Sequence, residues 1–417
     1  MEALWKVRIL FINRYFYPDH SATSQMLSDL AFELAGSGSV VHVIASRLRY
    51  DAAEGDLPAA EMIKGVDVHR VWTSRFGRHF LPGRALDYLT FYASAGWCLF
   101  RLVQSGDVVV AKTDPPLISV MAAWVVKRRG ARLVNWVQDL FPEVAIVLGV
   151  KGFNGWLGRF LVRKRNISLQ RAYMNVVIGE RMRERLLKEG IDEGRLKVIH
   201  NWANEEGVRF VSAQEDNPLR QEWGLAGKFV IGYSGNLGRA HEVETLLGAA
   251  QQLKDIKDIV FLFIGGGALR KRVEKEAAKR GLINLMFKGY QPRKYLSESL
   301  GVADVHVVVL KPQMEGLIVP SKFYGIAAAG RPTLFIGDVG GEIGQILNSG
   351  ETGFALMAGD VDTFVGHVLN MKDDRKKLLS MGASARQLFE ARFSKTRAMS
   401  EWRQLLQADS LLIGPRT

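Results

Sequence analysis

Residues 229–242 read Phe-Val-Ile-Gly-Tyr-Ser-Gly-Asn-Leu-Gly-Arg-Ala-His-Glu, an apolar run that breaks into glycines and then a cation. A short apolar run bounded by turn residues is the pattern of a strand buried on both faces. Glycines at 235 and 238 let backbone amides come close to a phosphate, and Arg239 can neutralise it. The next apolar run, residues 259–264, ends the same way, in Gly265-Gly266-Gly267, ahead of an amphipathic stretch at 269–280. One glycine turn after a strand is common in α/β folds. Two in consecutive units point to a nucleotide site.

The same alternation extends in both directions. Strands are predicted at 7–13, 40–45, 66–71, 107–111, 133–137, 176–178 and 197–200, with helices at 24–35 and 117–127. A polar stretch at 201–219 interrupts the pattern, which then restarts. Strands follow at 229–233, 259–264, 285–287, 305–309 and 333–336, with helices at 243–253, 269–280 and 322–328. Strands alternating with helices build parallel sheets. The fold expected is α/β, with two Rossmann-like domains at 1–203 and 204–394 facing across a cleft. A last helix, 395–406 within the segment 395–417, is expected to return to the first domain.

Composition bounds the function. The chain has 417 residues, 47% hydrophobic and 24% charged, which excludes disordered and collagen-like classes. Its one cysteine, Cys98, rules out an intrachain disulfide and a multi-cysteine metal site, and fits a reducing compartment. No signal peptide is read at the N-terminus, where residues 1–6 run into a strand. The net charge of +13 calls for an anionic partner. Residues 1–200 hold 28 lysines and arginines against 19 acids, and the rest hold 28 against 24, so the excess lies in the first half. Residues 85–103 approach the length of a membrane span but contain Asp87 and Arg101, and read as a buried or surface-docked helix.

The loop after the first strand, residues 14–23, has no glycine, which argues against an NAD reductase built on this unit. At its end Thr23 and Ser24 amides could face an anion, or Ser21 could simply cap the following helix. Lys322 stands at a helix start, the end that favours anions, so a cation there makes sense with an anion between. No histidine or carboxylate spacing resembles a metal site.

These pieces together resemble glycosyltransferase family 4, with the GT-B double-Rossmann fold. In the second half the resemblance rests on YSGNLGRAHE (233–242), FIGGGALR (263–270), FKGY (287–290), ADVHVVVL (303–310), VPSKFYGIAAAGRP (319–332) and GGEIGQIL (340–347). In the first half it rests on VRILFINRYFYPDHSATSQ (7–25), TDPPL (113–117), VNWVQDLFPE (134–143) and VIHNWANEE (198–206), which are similar to a bacterial surface-polysaccharide (O antigen) branch resembling fucosamine-type amino-deoxysugar transferases.

The resemblance implies retaining, hexosyltransferase-type transfer from a nucleoside diphosphate sugar, with no metal or other cofactor. It places Gly235, Asn236 and Arg239 at the donor diphosphate, with Lys322 clamping it and Ser321 among the donor-binding residues. The Phe287–Tyr290 turn, with Lys288, Gly289 and Tyr290, would receive the base, and Gly265, Gly266 and Gly267 would line the cleft nearby. Glu315 would face the donor sugar and Glu342 the ribose or sugar hydroxyls. Ser21, Ala22 and Thr23 would close over the phosphates. The family's first motif of the second domain commonly holds an Arg and a Lys, where this chain has Asn236 and His241. Gly325 stands where a second glutamate is usual. Gln138-Asp139 replaces a frequent histidine, making Asp139 the candidate for contacting acceptor hydroxyl or donor sugar, with helix capping or an arginine ion pair as the alternative.

Residues 151–171 carry six basic side chains and no acid. Trp156 and Phe160 recur at helical spacing beside Arg159, Arg163, Lys164 and Arg165, the pattern of a helix lying on an anionic membrane surface. Residues 117–138, and Phe76, Phe80 and Leu81 among Arg75, Arg78 and Arg84, extend that reading. The competing reading is ordinary core with a solvated charged face. The function expected is transfer from a UDP-sugar to a polyprenyl-diphosphate-linked acceptor, by a cytoplasmic enzyme peripheral on the inner face of the plasma membrane. Two rivals are a GT-B-fold UDP-N-acetylhexosamine epimerase and a basic nucleic-acid-binding protein. The first needs more acid/base groups than this chain offers, and no motif supports nucleic acid as a partner.

Overall fold

The apolar runs become two parallel sheets in the computed structural model, which describes residues 7–19, 21–49, 56–77, 81–203, 207–209 and 217–407. The chain divides into two units. The first comprises Met1–Ile199 with Met399–Thr417, and the second His200–Ala398. The division falls a few residues from the 203/204 and 394/395 boundaries expected above.

Unit 1 runs β1 (Arg8–Ile12), α1 (Ala22–Gly36), β2 (Val40–Ser46), β3 (Ala60–Ile63), β4 (Val66–Val71), α2 (Leu81–Leu102) and β5 (Val108–Lys112). It continues with α3 (Ile118–Arg129), β6 (Arg132–Val137), α4 (Glu143–Val147), α5 (Trp156–Arg171), β7 (Met174–Val177), α6 (Glu180–Lys188) and β8 (Leu196–Val198). The strands order as β3-β4-β2-β1-β5-β6-β7-β8, parallel except for the β3–β4 pair. Ile9, Leu10, Phe11 and Ile12 are fully buried in the central strand, as a sheet covered by helices on both faces requires.

The near-span at 85–103 falls on α2, docked on the sheet through buried Phe91, Ala95 and Leu99 at four-residue spacing, with buried Val103 just past its end. Asp87, which breaks its apolar run, is buried and accepts hydrogen bonds from Ser74 Oγ at 2.7 Å and the amides of Phe76 and Gly77 at 3.0 and 3.1 Å. No helix among the described residues is long and apolar enough to cross a membrane.

Unit 2 runs α7 (Pro218–Glu222), β9 (Phe229–Ser234), α8 (Glu244–Gln252), β10 (Ile259–Ile264), α9 (Arg270–Lys279), β11 (Leu285–Lys288), α10 (Leu296–Gly301) and β12 (Val305–Val309). Then come α11 (Lys322–Ala328), β13 (Thr333–Ile336), α12 (Glu342–Gly350), β14 (Gly353–Leu356), α13 (Val361–Asp373), α14 (Arg375–Arg392) and α15 (Lys395–Gln407). Its sheet orders as β11-β10-β9-β12-β13-β14 with every pair parallel. The residues of α15 from Met399 onward belong to unit 1, where Trp402 packs on Trp136 of β6 with ring centroids 4.8 Å apart, both fully buried.

Candidate functional site

In an open parallel sheet, ligands bind at the carboxyl ends of the two strands where the order reverses. In unit 2 those strands are β9 and β12. The loop after β9 is held by its neighbours through backbone bonds. Gly235 N donates to Ile264 O at 2.8 Å, Leu237 N to Gly266 O at 2.7 Å, and Lys311 N, after β12, to Ala240 O at 2.9 Å. The two glycine turns read from the sequence therefore lie against each other. Gly267, at φ +122°, has room for no side chain: a Cβ would stand 2.5 Å from the Leu237 backbone.

Lys322, the first residue of α11, reaches this loop. Its Nζ donates to the Tyr233 hydroxyl and lies 3.7 Å from the centroid of that ring. Tyr233 Oη also meets His241 Nδ1 at 2.9 Å and Asn236 O at 3.0 Å, while Gly238 N donates to His241 Nδ1 at 2.9 Å. Burial lowers the Lys322 ammonium to about 7. It also lowers His241 to about 3, with Lys322 and Lys311 adding to the effect. His241 is thus a neutral acceptor that shapes the loop, not a stand-in for the missing cation. Arg239 is exposed and makes no hydrogen bond or ion pair among the described residues, and Asn236 is exposed beside it.

The turn at Lys288, Gly289 and Tyr290 stands next to the Gly265–Gly266 turn. Gly265 N donates to Lys288 O at 3.1 Å. Lys288 Nζ lies 5.1 Å from the Trp223 ring, and Tyr290 is 65% exposed. Arg270 links the two turns, donating to Gly265 O and, at 2.6 Å, to Lys288 O. Sequence reasoning missed Arg270 and Tyr233, though both stand inside quoted motifs. Their signal was position, a cation opening a helix and an aromatic ending a strand.

The two glutamates expected at the sugar divide. The Glu342 amide donates to Glu315 Oε1 at 2.8 Å, so backbone fixes the Glu315 carboxylate. The Glu342 side chain turns inward: it is 5% exposed, with its carboxylate 3.8 Å from His200 Nδ1. Ser321 is exposed ahead of α11, and Gly325 sits within that helix with no acid in its place.

In unit 1 the order reverses between β1 and β5. Lys112 closes β5, is fully buried and leaves its Nζ without a hydrogen bond, 3.4 Å from the Trp136 ring centroid. The loops after β5 and β6 are tied by Gln138 N donating to Thr113 Oγ1 at 3.0 Å. This brings Asp139 near Asp114 and Lys112. Asp139 is open to solvent yet hemmed by protein, which pushes its carboxyl up to about 6. Desolvation does most of this and Asp114 adds to it, against the opposing pull of Lys112. No arginine pairs with it among the described residues. Ser21 does cap α1, its Oγ accepting from Ser24 N at 3.4 Å, and Ala22 and Thr23 form the first turn.

His42, Asp67 and His69 converge across β2 and β4, with His42 Nδ1 3.2 Å from His69 Nε2. Arg8 Nε donates to His42 Nε2 at 3.2 Å, which leaves the ring proton on Nδ1, facing His69. His42 Nδ1 also lies 3.6 Å from Asp67 Oδ2, and burial lowers both imidazoles below their ordinary value.

The expected membrane stripe needs one correction. Arg165 is buried and paired, its guanidinium donating to both Glu143 oxygens at 2.8 Å and to Glu189, so it faces the protein. Trp156 and Phe160 are 72% and 46% exposed, with Arg159, Arg163 and Lys164 exposed alongside. Arg78 and Phe80 lie outside the described residues.

Comparison with known proteins finds family matches in both units. Residues 22–202 match the glycosyl transferase 4-like domain and residues 215–388 the glycosyl transferases group 1 domain. The chain is 37% identical over 251 residues to WbjE of Pseudomonas aeruginosa, named a probable glycosyltransferase, covering 60% of this chain and 61% of that one. It is 28% identical over 223 residues to WcaI of Escherichia coli K12, named for colanic acid biosynthesis, covering 53% and 54%. These matches span less than two thirds of the relatives' own length. A GDP-mannose-dependent alpha-mannosyltransferase of Mycobacterium tuberculosis is 24% identical over 307 residues, 72% of each chain. Among solved structures, HepE of Anabaena in complex with UDP superposes with a TM-score of 0.71 at 15% identity, covering 96% of this chain and 100% of that one. The fold is GT-B, and the chain belongs to the glycosyltransferases that join a glycosyl transferase 4-like domain to a group 1 domain.

Proposed function

We propose that the chain moves a sugar from a UDP-sugar to a polyprenyl-diphosphate-linked acceptor in surface-polysaccharide assembly. Transfer proceeds with retention at the donor carbon, at the inner face of the plasma membrane, without a metal or other cofactor. The observation that carries this reading is the unit 2 site, where two interlocked glycine turns and the under-solvated Lys322 meet at the switch point.

Cleaving the donor places negative charge on the departing diphosphate. Among the described residues Lys322 has no carboxylate partner and Arg239 has no partner, so both can meet that charge as it grows. In this reading Gly235 and Asn236 present backbone to the phosphates, Tyr290 receives the base, and Glu315, fixed by the Glu342 amide, faces the sugar. Asp139 orients the acceptor hydroxyl.

WcaI's assignment to colanic acid biosynthesis and HepE's complex with UDP support the pathway and the nucleotide. The exposed aromatic and basic stripe of α5 supports the membrane. The test is a thermal melt with UDP and, in parallel, GDP. A shift with UDP is expected; a shift with GDP alone would move the donor to a guanosine sugar, and no shift with either would end the proposal. Product mass and anomeric configuration then read sugar and stereochemistry.

A further inference from the structure

A surface groove of about 920 Å³ lies along α5 beside Ile146 of α4, and the roles above use only its two arginines, Arg159 and Arg163, as membrane contacts. Its lining joins apolar and charged surface to the neutral polar side chains of Asn154, Asn166 and Gln170. Ile146, Phe153, Val162 and Ile167 supply apolar surface, and Arg159 and Arg163 supply charge. The two arginines stand one helical turn apart, both are exposed, and neither side chain has a hydrogen-bond or ion-pair partner among the described residues.

The groove belongs to the scaffold. A Cβ at Gly158 would lie 1.9 Å from the Phe153 carbonyl oxygen, so only glycine lets α5 start this close to that backbone. The Phe153 ring is held edge-on to Phe141 at 5.3 Å, and the buried Arg165 pins the inner side of α5 to Glu143 and Glu189.

Two guanidinium groups one turn apart suit a diphosphate, whose oxygens can take paired N–H donors from each. A free diphosphate would leave the apolar lining in water. A hydrocarbon attached to the diphosphate would cover it. Next to the groove face of α5 (159, 163, 166, 170) runs the stripe 156, 160, 164, where Lys164 Nζ lies 5.2 Å from the Phe160 ring. Aromatics with cations on one helical stripe seat a helix in an anionic bilayer interface, where a lipid substrate would be met. Because α5 leads from β6 to its parallel neighbour β7, its first turns lie toward the carboxyl ends of the strands, the side of the sheet that holds Asp139.

We propose that this groove binds a lipid-linked diphosphate, with Arg159 and Arg163 on the diphosphate and the apolar lining on the first hydrocarbon units. The assignment rests on the acceptor class proposed above and adds the place where that acceptor is held.

The probe is farnesyl diphosphate titrated into the full chain by calorimetry, with inorganic pyrophosphate and farnesol each carrying half of its chemistry. Farnesyl diphosphate is expected to bind at least about tenfold more tightly than either. Replacing Arg159 and Arg163 by Gln should weaken it by about tenfold per arginine, with the melting temperature unchanged. Val162→Thr, near-isosteric and uncharged, should weaken it through the apolar lining alone. Equal binding by wild type and the double variant would overturn the site, as would pyrophosphate binding as tightly as farnesyl diphosphate. Phosphatidylglycerol vesicles that displace the probe as well as unlabelled farnesyl diphosphate does would reassign the groove to general headgroup contact and overturn it too. Acceptor-free hydrolysis of the UDP-sugar reads the donor side separately. Hydrolysis without farnesyl diphosphate binding sinks the groove, whereas binding without hydrolysis sinks the proposed reaction and leaves the groove standing.

Discussion

The Lys322 ammonium lies 3.7 Å from the centroid of the Tyr233 ring and donates to the hydroxyl of the same residue. A cation kept by a phenol and a ring face retains its charge for an incoming anion, whereas a carboxylate partner would have cancelled it. Lys322→Ala and Arg239→Ala should each lower donor turnover by a factor on the order of 10²–10³, the size of one lost stabilising donor. Tyr233→Phe, which keeps the ring and loses the hydroxyl, should cost less than either. Steady-state rates with both cation variants unchanged would remove the diphosphate from this site.

Lys322 sits near 7 in the free protein, so it sheds its proton as pH rises through that value. A bound diphosphate favours the charged form, so binding takes up a proton just above neutrality and UDP affinity falls as pH climbs further. Calorimetry in two buffers of different ionisation enthalpy reads that proton directly. Lys322→Arg should abolish the uptake, and an uptake that survives would place the titration elsewhere.

Asp139 titrates near 6, so activity that uses its carboxylate is present above that pH and lost below it. Asp139→Asn should erase this acidic limb and lower turnover on the order of 10²-fold. Lys112 opposes the upward shift, so Lys112→Met should move the limb to higher pH. The same change removes an amine buried without a hydrogen bond and should leave the melting temperature no lower. A limb that stays in place in the Lys112 variant would separate the two residues.

Arg165 grips Glu143 through two 2.8 Å contacts in a buried setting. Arg165→Ala leaves that carboxylate without its counter-ion and should cost about 3–5 kcal/mol in urea unfolding. Arg163→Ala, two residues away and exposed, should stay within about 0.5 kcal/mol. Equal costs would contradict the assignment of inner and outer faces of α5.

Flotation with phosphatidylglycerol vesicles should recover the wild-type chain. It should weaken for Lys164→Glu and for Trp156→Ala, and fail when both are combined. Flotation that ignores charge would end the docking role of this stripe.

The strands were legible wherever both faces are buried, because the pattern is then a plain run of Val, Ile, Leu and Phe. β3 escaped because Ala60–Ile63 alternates between exposed and half-buried positions at a sheet edge, a pattern too short to register. β14 opens on Gly353, which reads as a breaker. Among the site residues, the glycine turns, Arg239 and Lys322 were visible because they lie in one local stretch each. Tyr233 gained its role only through contact with a residue 89 positions away. His42 and His69 are neighbours only by strand register, and Lys112 only by standing on Trp136. The cations at 163, 164 and 165 look alike in sequence. Helix rotation, not composition, sends the third inward.

The packing of Trp402 on Trp136 has a consequence for how the protein is made. Unit 1 buries one of its largest core side chains under a helix that follows the whole of unit 2 in the chain. During synthesis the first 199 residues leave the ribosome with Trp136 uncovered, and the entire second unit must emerge before the cover arrives. Premature termination anywhere in unit 2 would therefore damage the first unit as well, leaving an apolar indole open to chaperones and to aggregation. A fragment ending at residue 199 would be expected to regain solubility when a peptide spanning 395–407 is supplied in trans.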